Sequence, residues 1–244
     1  MNIGLFIPCY VDQFYPNVAI ASLELLEKLG LTISYPLQQT CCGQPMANSG
    51  FEYVTHSCST NFIENFSTFD YIVCPSGSCT LHIKEHLSDE QHPAEATSIR
   101  SKIFELTEFL TDVVQVKKLN AKFPHKVGLH QSCHAQRGLK LSQMSELVAP
   151  AFSKPDTLLR MVEGLELAAL ERKDECCGFG GMFCVLEEAV SAKMGQDRVA
   201  DHIRQGVDYI TGADMSCLMH LDGILRRQKS SVKTIHIAEI LNAE

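Results

Sequence analysis

Ile3-Gly4-Leu5-Phe6-Ile7-Pro8-Cys9 opens the chain, and Val127-Gly128-Leu129-His130-Gln131-Ser132-Cys133 starts the same pattern again. In each, a short apolar stretch leads to a cysteine, as expected of a buried strand delivering a residue into a loop. Working outward from the first, Val18, Ala21, Leu25 and Leu29 recur at helical spacing and predict a helix closed by Gly30. Leu31 to Tyr35 predict a second strand, stopped by Pro36.

Three further blocks occur twice in the same order. Cys41-Cys42-Gly43 matches Cys176-Cys177-Gly178, and Cys79-Thr80-Leu81-His82 matches Cys217-Leu218-Met219-His220. Leu106-Thr107-Glu108-Phe109-Leu110 matches Ile237-Ala238-Glu239-Ile240-Leu241. Four matched blocks in register indicate an internal duplication, with loop insertions accounting for the variable offsets. The polar stretch from Lys117 to Pro124 separates the copies and predicts units over 1–116 and 124–244. Phe183, Leu186, Val190 and Met194 read as an amphipathic helix, and Val207-Asp208-Tyr209-Ile210 as a strand. Such alternation predicts an α/β fold made of two pseudo-repeated units with parallel sheets. Ligands in these sheets gather beyond the carboxyl ends of the strands, where Cys9, Cys74 and Cys133 are expected.

The 244 residues are 45% hydrophobic and 20% charged, a globular composition. A net charge of -8 argues against a protein that clamps a nucleic-acid backbone. The one tight basic cluster, Arg226, Arg227 and Lys229, reads as a solvated helix end. No apolar run is long enough to span a bilayer, so membrane association would go through a partner. Met1 to Ile7 lacks a basic leader, and the expected location is the cytoplasm.

Eleven cysteines need an explanation in a reducing compartment, which disfavours structural disulfides. Metal binding supplies one. Each half presents four matched thiols: Cys9, Cys41, Cys42 and Cys79, then Cys133, Cys176, Cys177 and Cys217. Adjacent cysteines on an extended chain point to opposite faces, so a turn is needed to converge them. Gly43 and Gly178 can take positive φ, and Gly180-Gly181 adds freedom in the second copy. Backbone N–H groups at the start of a helix after each Cys-Cys-Gly would stabilise thiolate and sulfide charge. Zinc sites favour short Cys-x-x-Cys knuckles, which are absent, so the pattern favours iron–sulfur over zinc. Cys58, Cys74 and Cys184 have no equivalents in the other half. Cys74 reads as an apolar strand end, Cys184 as a buried helix residue, and His134, whose counterpart is Tyr10, as solvent-facing.

The arrangement from Cys9 to Leu241 resembles the cysteine-rich, Cys-Cys-Gly domain iron–sulfur proteins, whose branches include the heterodisulfide reductases and the lactate-utilisation proteins. The runs Cys41-Cys42-Gly43-Gln44-Pro45 and Cys176 to Phe183 are most similar to the lactate-utilisation branch. That resemblance implies one or two [4Fe-4S] clusters held by the four thiols of each half. It also implies a role in electron transfer during oxidation of L-lactate to pyruvate, with other iron–sulfur and accessory subunits as partners. In the heterodisulfide reductase branch a fifth cysteine ends each repeat. Here that position is His82 or His220, either a ligand or a group bonded to the ligand shell. Two alternatives follow: a catalytic subunit acting on a disulfide, and a zinc-stabilised binding module.

Overall fold

The computed structural model describes residues 1–244. Its eight strands are β1 (Ile3–Leu5), β2 (Ile33–Ser34), β3 (Tyr71–Cys74), β4 (Ile103–Glu105), β5 (Lys126–Leu129), β6 (Glu166–Leu167), β7 (Tyr209–Gly212) and β8 (Lys233–His236). They form two four-stranded sheets with the same order, β2-β1-β3-β4 and β6-β5-β7-β8. Every pairing is parallel, so each connection must cross over, and helices supply the crossovers. Registers correspond as well: Ile3 pairs with Ile33 and Tyr71, and Val127 with Leu167 and Tyr209. The expected α/β duplication is therefore present.

The first predicted helix runs from Pro16 to Lys28, with Pro16 at its first position and Gly30 at φ +80° beyond its end. It buries Val18, Ala21, Leu25 and Leu26. The second strand is shorter than Leu31–Tyr35, because at the sheet's edge only Ile33 and Ser34 find a partner in β1.

The Phe183, Leu186, Val190, Met194 stripe is a correction. The chain breaks at Glu187 into helices Phe183–Leu186 and Glu188–Arg204, and Leu186 and Val190 face outward. The longer helix instead buries Ser191, Gly195, Arg198, Val199, Asp201 and His202. A face that buries an arginine, an aspartate and a histidine leaves no apolar period to read.

The matched closing blocks are capping boxes. Glu105 accepts from the N–H groups of Thr107 and Glu108, while Glu108 accepts from the Glu105 N–H. His236 and Glu239 make the same reciprocal pair at the start of helix Ile237–Leu241. The two halves share a core, in which Leu25 and Val73 of the first lie in one cluster with Val127, Leu221 and Leu241 of the second. No helix is long and apolar enough to cross a membrane.

Candidate metal centre

Both cysteine sites form where the sheets end. Cys9 opens helix Cys9–Phe14 beyond β1, and Cys133 occupies the matching place beyond β5. Cys79 lies in the first turn of helix Gly77–His86, and Cys217 in that of helix Met215–Arg227.

Gly43 has φ +90° and Gly178 φ +88°, the left-handed conformation that folds each Cys-Cys pair back toward its site. A Cβ on Gly178 would also stand 2.7 Å from the Ser191 carbonyl oxygen, so space as well as conformation demands glycine there. The turns aim backbone donors at sulfur. Gly43 N–H donates to Cys41 Sγ at 3.4 Å, and Gly178 N–H to Cys176 Sγ at 3.4 Å. In the second half Phe179 N–H adds a bond to Cys177 Sγ at 3.4 Å.

The four thiols of each half lie in succession beside one another, Cys9–Cys41–Cys42–Cys79 and Cys133–Cys176–Cys177–Cys217. The neighbouring Cys42 and Cys9 thiols hold Cys41 far below the ordinary thiol range. The proximity of Cys41 in turn holds Cys9 above that range, and that of Cys41 and Cys79 does the same to Cys42. The second half repeats the pattern: Cys133 and Cys177 pull Cys176 down, while Cys133 and Cys177 are themselves pushed up. Four convergent sulfurs, with backbone N–H groups directed at them, suit a thiolate-held metal cluster.

His82 and His220 play matching parts. His82 reaches the backbone of Cys42 and stacks on His86, and burial followed by the His86 charge pushes it down to about 4. His220 contacts the backbone of Cys177, its Nε2 lies 3.4 Å from the Ser191 carbonyl oxygen, and burial lowers it. Each imidazole thus lies beside the backbone of the second cysteine of its Cys-Cys-Gly turn.

The unmatched cysteines have individual roles. Cys74 ends β3 fully buried, with its Sγ 3.8 Å from the Ser76 carbonyl oxygen. Its counterpart Gly212 admits no side chain, since a Cβ would approach the His130 carbonyl oxygen to 2.8 Å. Cys184 is only half-buried, and its thiol donates to the Gly181 carbonyl at 3.0 Å, closing the glycine turn. Cys58 is half-buried near Cys41. His134 does not face solvent as expected: it is half-buried, with Nδ1 3.8 Å from Cys133 Sγ.

Two further features beside the cysteines belong to no repeated motif. The first is Asp214, three residues before Cys217 and 1% exposed. Its carboxylate accepts from Ser76 Oγ (2.8 Å), Ser78 Oγ (2.9 Å), Ser78 N–H (3.1 Å) and Ser132 Oγ (2.5 Å). One buried carboxylate therefore ties the helix carrying Cys79 to the turn carrying Cys133, and four donors are about what two carboxylate oxygens can accept. The second is His130, 1% exposed, with a ring nitrogen and the Cys177 and Cys217 sulfurs all within 4.8 Å of one another. Burial, then the Arg198 charge, pushes it down to about 3. The signal for both was mismatch between the repeats: Asp214 stands opposite Ser76, and His130 opposite Phe6.

The family model described as "Cysteine-rich domain" (CCG) matches the chain twice, over residues 3–84 and 127–222. "Lactate utilization protein A" of Geobacillus sp. (strain WCH70) is 39% identical over 248 residues, covering 100% of both chains. The protein of that name from Macrococcus caseolyticus is 40% identical, covering 99% of this chain and 96% of its own. Among solved structures, a hypothetical protein from Helicobacter pylori aligns with a TM-score of 0.59 at 14% identity, over 98% of this chain and 48% of that one, which speaks to the fold. Two matched domains and full-length identity to these relatives lead to one conclusion: the chain belongs to the cysteine-rich CCG-domain family that includes the lactate utilization A proteins.

Proposed function

We propose that the chain is an iron–sulfur electron carrier in the oxidation of L-lactate to pyruvate, working with other iron–sulfur and accessory subunits. The observation that carries this reading is the convergence of Cys9, Cys41, Cys42 and Cys79 at one sheet end and of Cys133, Cys176, Cys177 and Cys217 at the other. The names of the relatives supply the substrate.

A [4Fe-4S] cluster supplies reversible one-electron storage when bound. The four thiolates of each half would hold it. Gly43, Gly178 and Phe179 N–H groups would offset its negative charge, and His82 and His220 would keep the Cys-Cys-Gly turns in place. Oxidation of lactate to pyruvate releases two electrons and two protons, and two one-electron sites match that stoichiometry. Asp214 holds the sites in one frame through hydrogen bonds to Ser76, Ser78 and Ser132.

The test is anaerobic purification followed by iron and sulfide analysis, optical spectra and EPR. About eight irons and eight sulfides per chain are expected for two cubane clusters. A chain with no iron and no sulfide-to-iron charge-transfer absorbance would sink the proposal.

A further inference from the structure

The halves diverge directly beneath their cysteines. Phe6 and His130 each lie three residues before the first cysteine of their half. Phe6 is fully buried, with its ring 4.8 Å from Phe62 and 5.7 Å from Phe66, which are one turn apart on helix His56–Phe66. In the second half, helix Glu188–Arg204 presents Arg198 and His202 at that same spacing. The correspondence can be counted from the glycine turns. Gly43 packs on Thr55 and Gly178 on Ser191, and Phe62 and Arg198 each lie seven residues further on. An aromatic trio has been replaced by His130, Arg198 and His202, all buried.

Arg198 is held from every side. Its Nη1 donates to the Arg172 carbonyl (2.5 Å) and pairs with Asp201 (3.4 Å), and its Nη2 donates to the Leu129 carbonyl (3.4 Å). Its Nε donates to His130 Nδ1 at 3.1 Å. A guanidinium has only donors, so Nδ1 must accept, and the single proton of the neutral ring then sits on Nε2. Nε2 is buried and has no partner in the protein. A metal ligand needs a free lone pair, and the lone pair of His130 is engaged by Arg198. What remains is an N–H donor on a ring that has a nitrogen within 4.8 Å of the Cys177 and Cys217 sulfurs.

We propose that His130, fixed in its Nε2–H form by Arg198, donates a hydrogen bond to sulfur at the second site, making that site easier to reduce than the first. This rests on the iron–sulfur reading above. Hydrogen bonds to thiolate or sulfide stabilise the more negative, reduced state and so raise the potential. Phe6 offers no such bond, and the extra Phe179 N–H to Cys177 biases the halves in the same direction. Electrons entering the chain would therefore settle in the second half.

The experiment is an EPR-monitored redox titration of the full anaerobic protein, with centres assigned from Cys42→Ser and Cys177→Ser. His130→Phe, which installs the residue of the first half, is expected to shift the second centre's reduction equilibrium about tenfold toward oxidised, about 59 mV for one electron, and to leave the first unmoved. His130→Gln, which keeps an N–H, should shift it less. Iron present at both sites with an unmoved second potential in His130→Phe overturns the proposal while leaving the electron-carrier reading intact. A ligand-strength nitrogen coupling at the second centre in pulsed EPR of the wild type, lost in His130→Phe, also overturns it, because Nε2 would then be bonded to iron. ¹⁵N NMR of the metal-free chain gives a readout that needs no variant: protonated Nε2 and bare Nδ1 at His130 support the proposal, and the opposite tautomer defeats it. Wild-type protein without iron fails the parent reading, and this one with it.

Discussion

The first cysteine site rests on Phe6, Phe62 and Phe66, and the second on His130, Arg198 and His202, although the same strand order and the same turns support both. Duplication preserved what delivers the cysteines: the strand ends, the positive-φ glycines and the capped helices. It did not preserve the medium behind them. An apolar floor and a hydrogen-bonding floor around equal sets of thiols are the conditions under which like centres acquire unlike potentials. On the iron–sulfur reading proposed above, the difference makes the halves unequal sites and not two interchangeable copies.

The strongest way to break this comparison is to remove one thiol at a time. Cys42→Ser should abolish one centre and Cys177→Ser the other, each halving the iron content while the remaining EPR signal persists. Loss of both signals from either substitution would show a single shared centre.

The glycine turns offer the next contrast. Gly178→Ala must accept both positive φ and a Cβ placed 2.7 Å from the Ser191 carbonyl oxygen, which costs about 2–4 kcal/mol. Gly43→Ala carries the same positive φ, but its nearest neighbour is the Thr55 side chain, at 3.1 Å, and it should cost about 1–2 kcal/mol. Chemical denaturation of the two variants measures the difference, and equal losses would mean that the second turn relaxes.

Asp214→Asn sharpens the link between the halves. An amide group would turn one oxygen, now facing hydroxyl and N–H donors, into a competing donor, at a cost of about 1–3 kcal/mol. Loss should be seen in the unfolding free energy and as altered magnetic coupling between the two centres.

The smallest effect separates the two closing caps. Burial pushes Glu105 up to about 8, so the folded chain binds its proton more tightly than the unfolded chain, and stability falls as pH rises from about 4.5 to about 8. Its counterpart His236 is pushed down to about 4 by burial, so its contribution is lost in the opposite direction, as pH falls from about 6.5 to about 4. Between pH 6.5 and 8 only the Glu105 effect operates of the two. Glu105→Gln should flatten the stability profile there by about 1–2 kcal/mol in thermal or urea melts. An unchanged slope would place the titration elsewhere.

Much of the frame was legible from the chain because it depends on local chemistry. Apolar runs before Cys9 and Cys133 mark strands, Cys-Cys-Gly marks a turn, and Leu106 to Leu110 echoes Ile237 to Leu241 because both follow capping boxes. The helix after Gly178 is illegible in the sequence for an equally physical reason. Its inward face carries Arg198, Asp201 and His202, which look like surface residues until the groups that satisfy them are brought close.

By itself, the sequence determined the duplication, the parallel α/β architecture and the eight matched cysteines, since periodicity and repeated motifs are properties of neighbouring residues. Tertiary contacts alone bring His82 and His220 beside the Cys-Cys-Gly turns, join the halves through Asp214, and set the proton position on His130 through Arg198. Those assignments depend on contacts across 68 residues for Arg198 and His130 and 138 for Ser76 and Asp214. A buried polar residue takes its role from the partner that folding places beside it, and no local pattern encodes that partner.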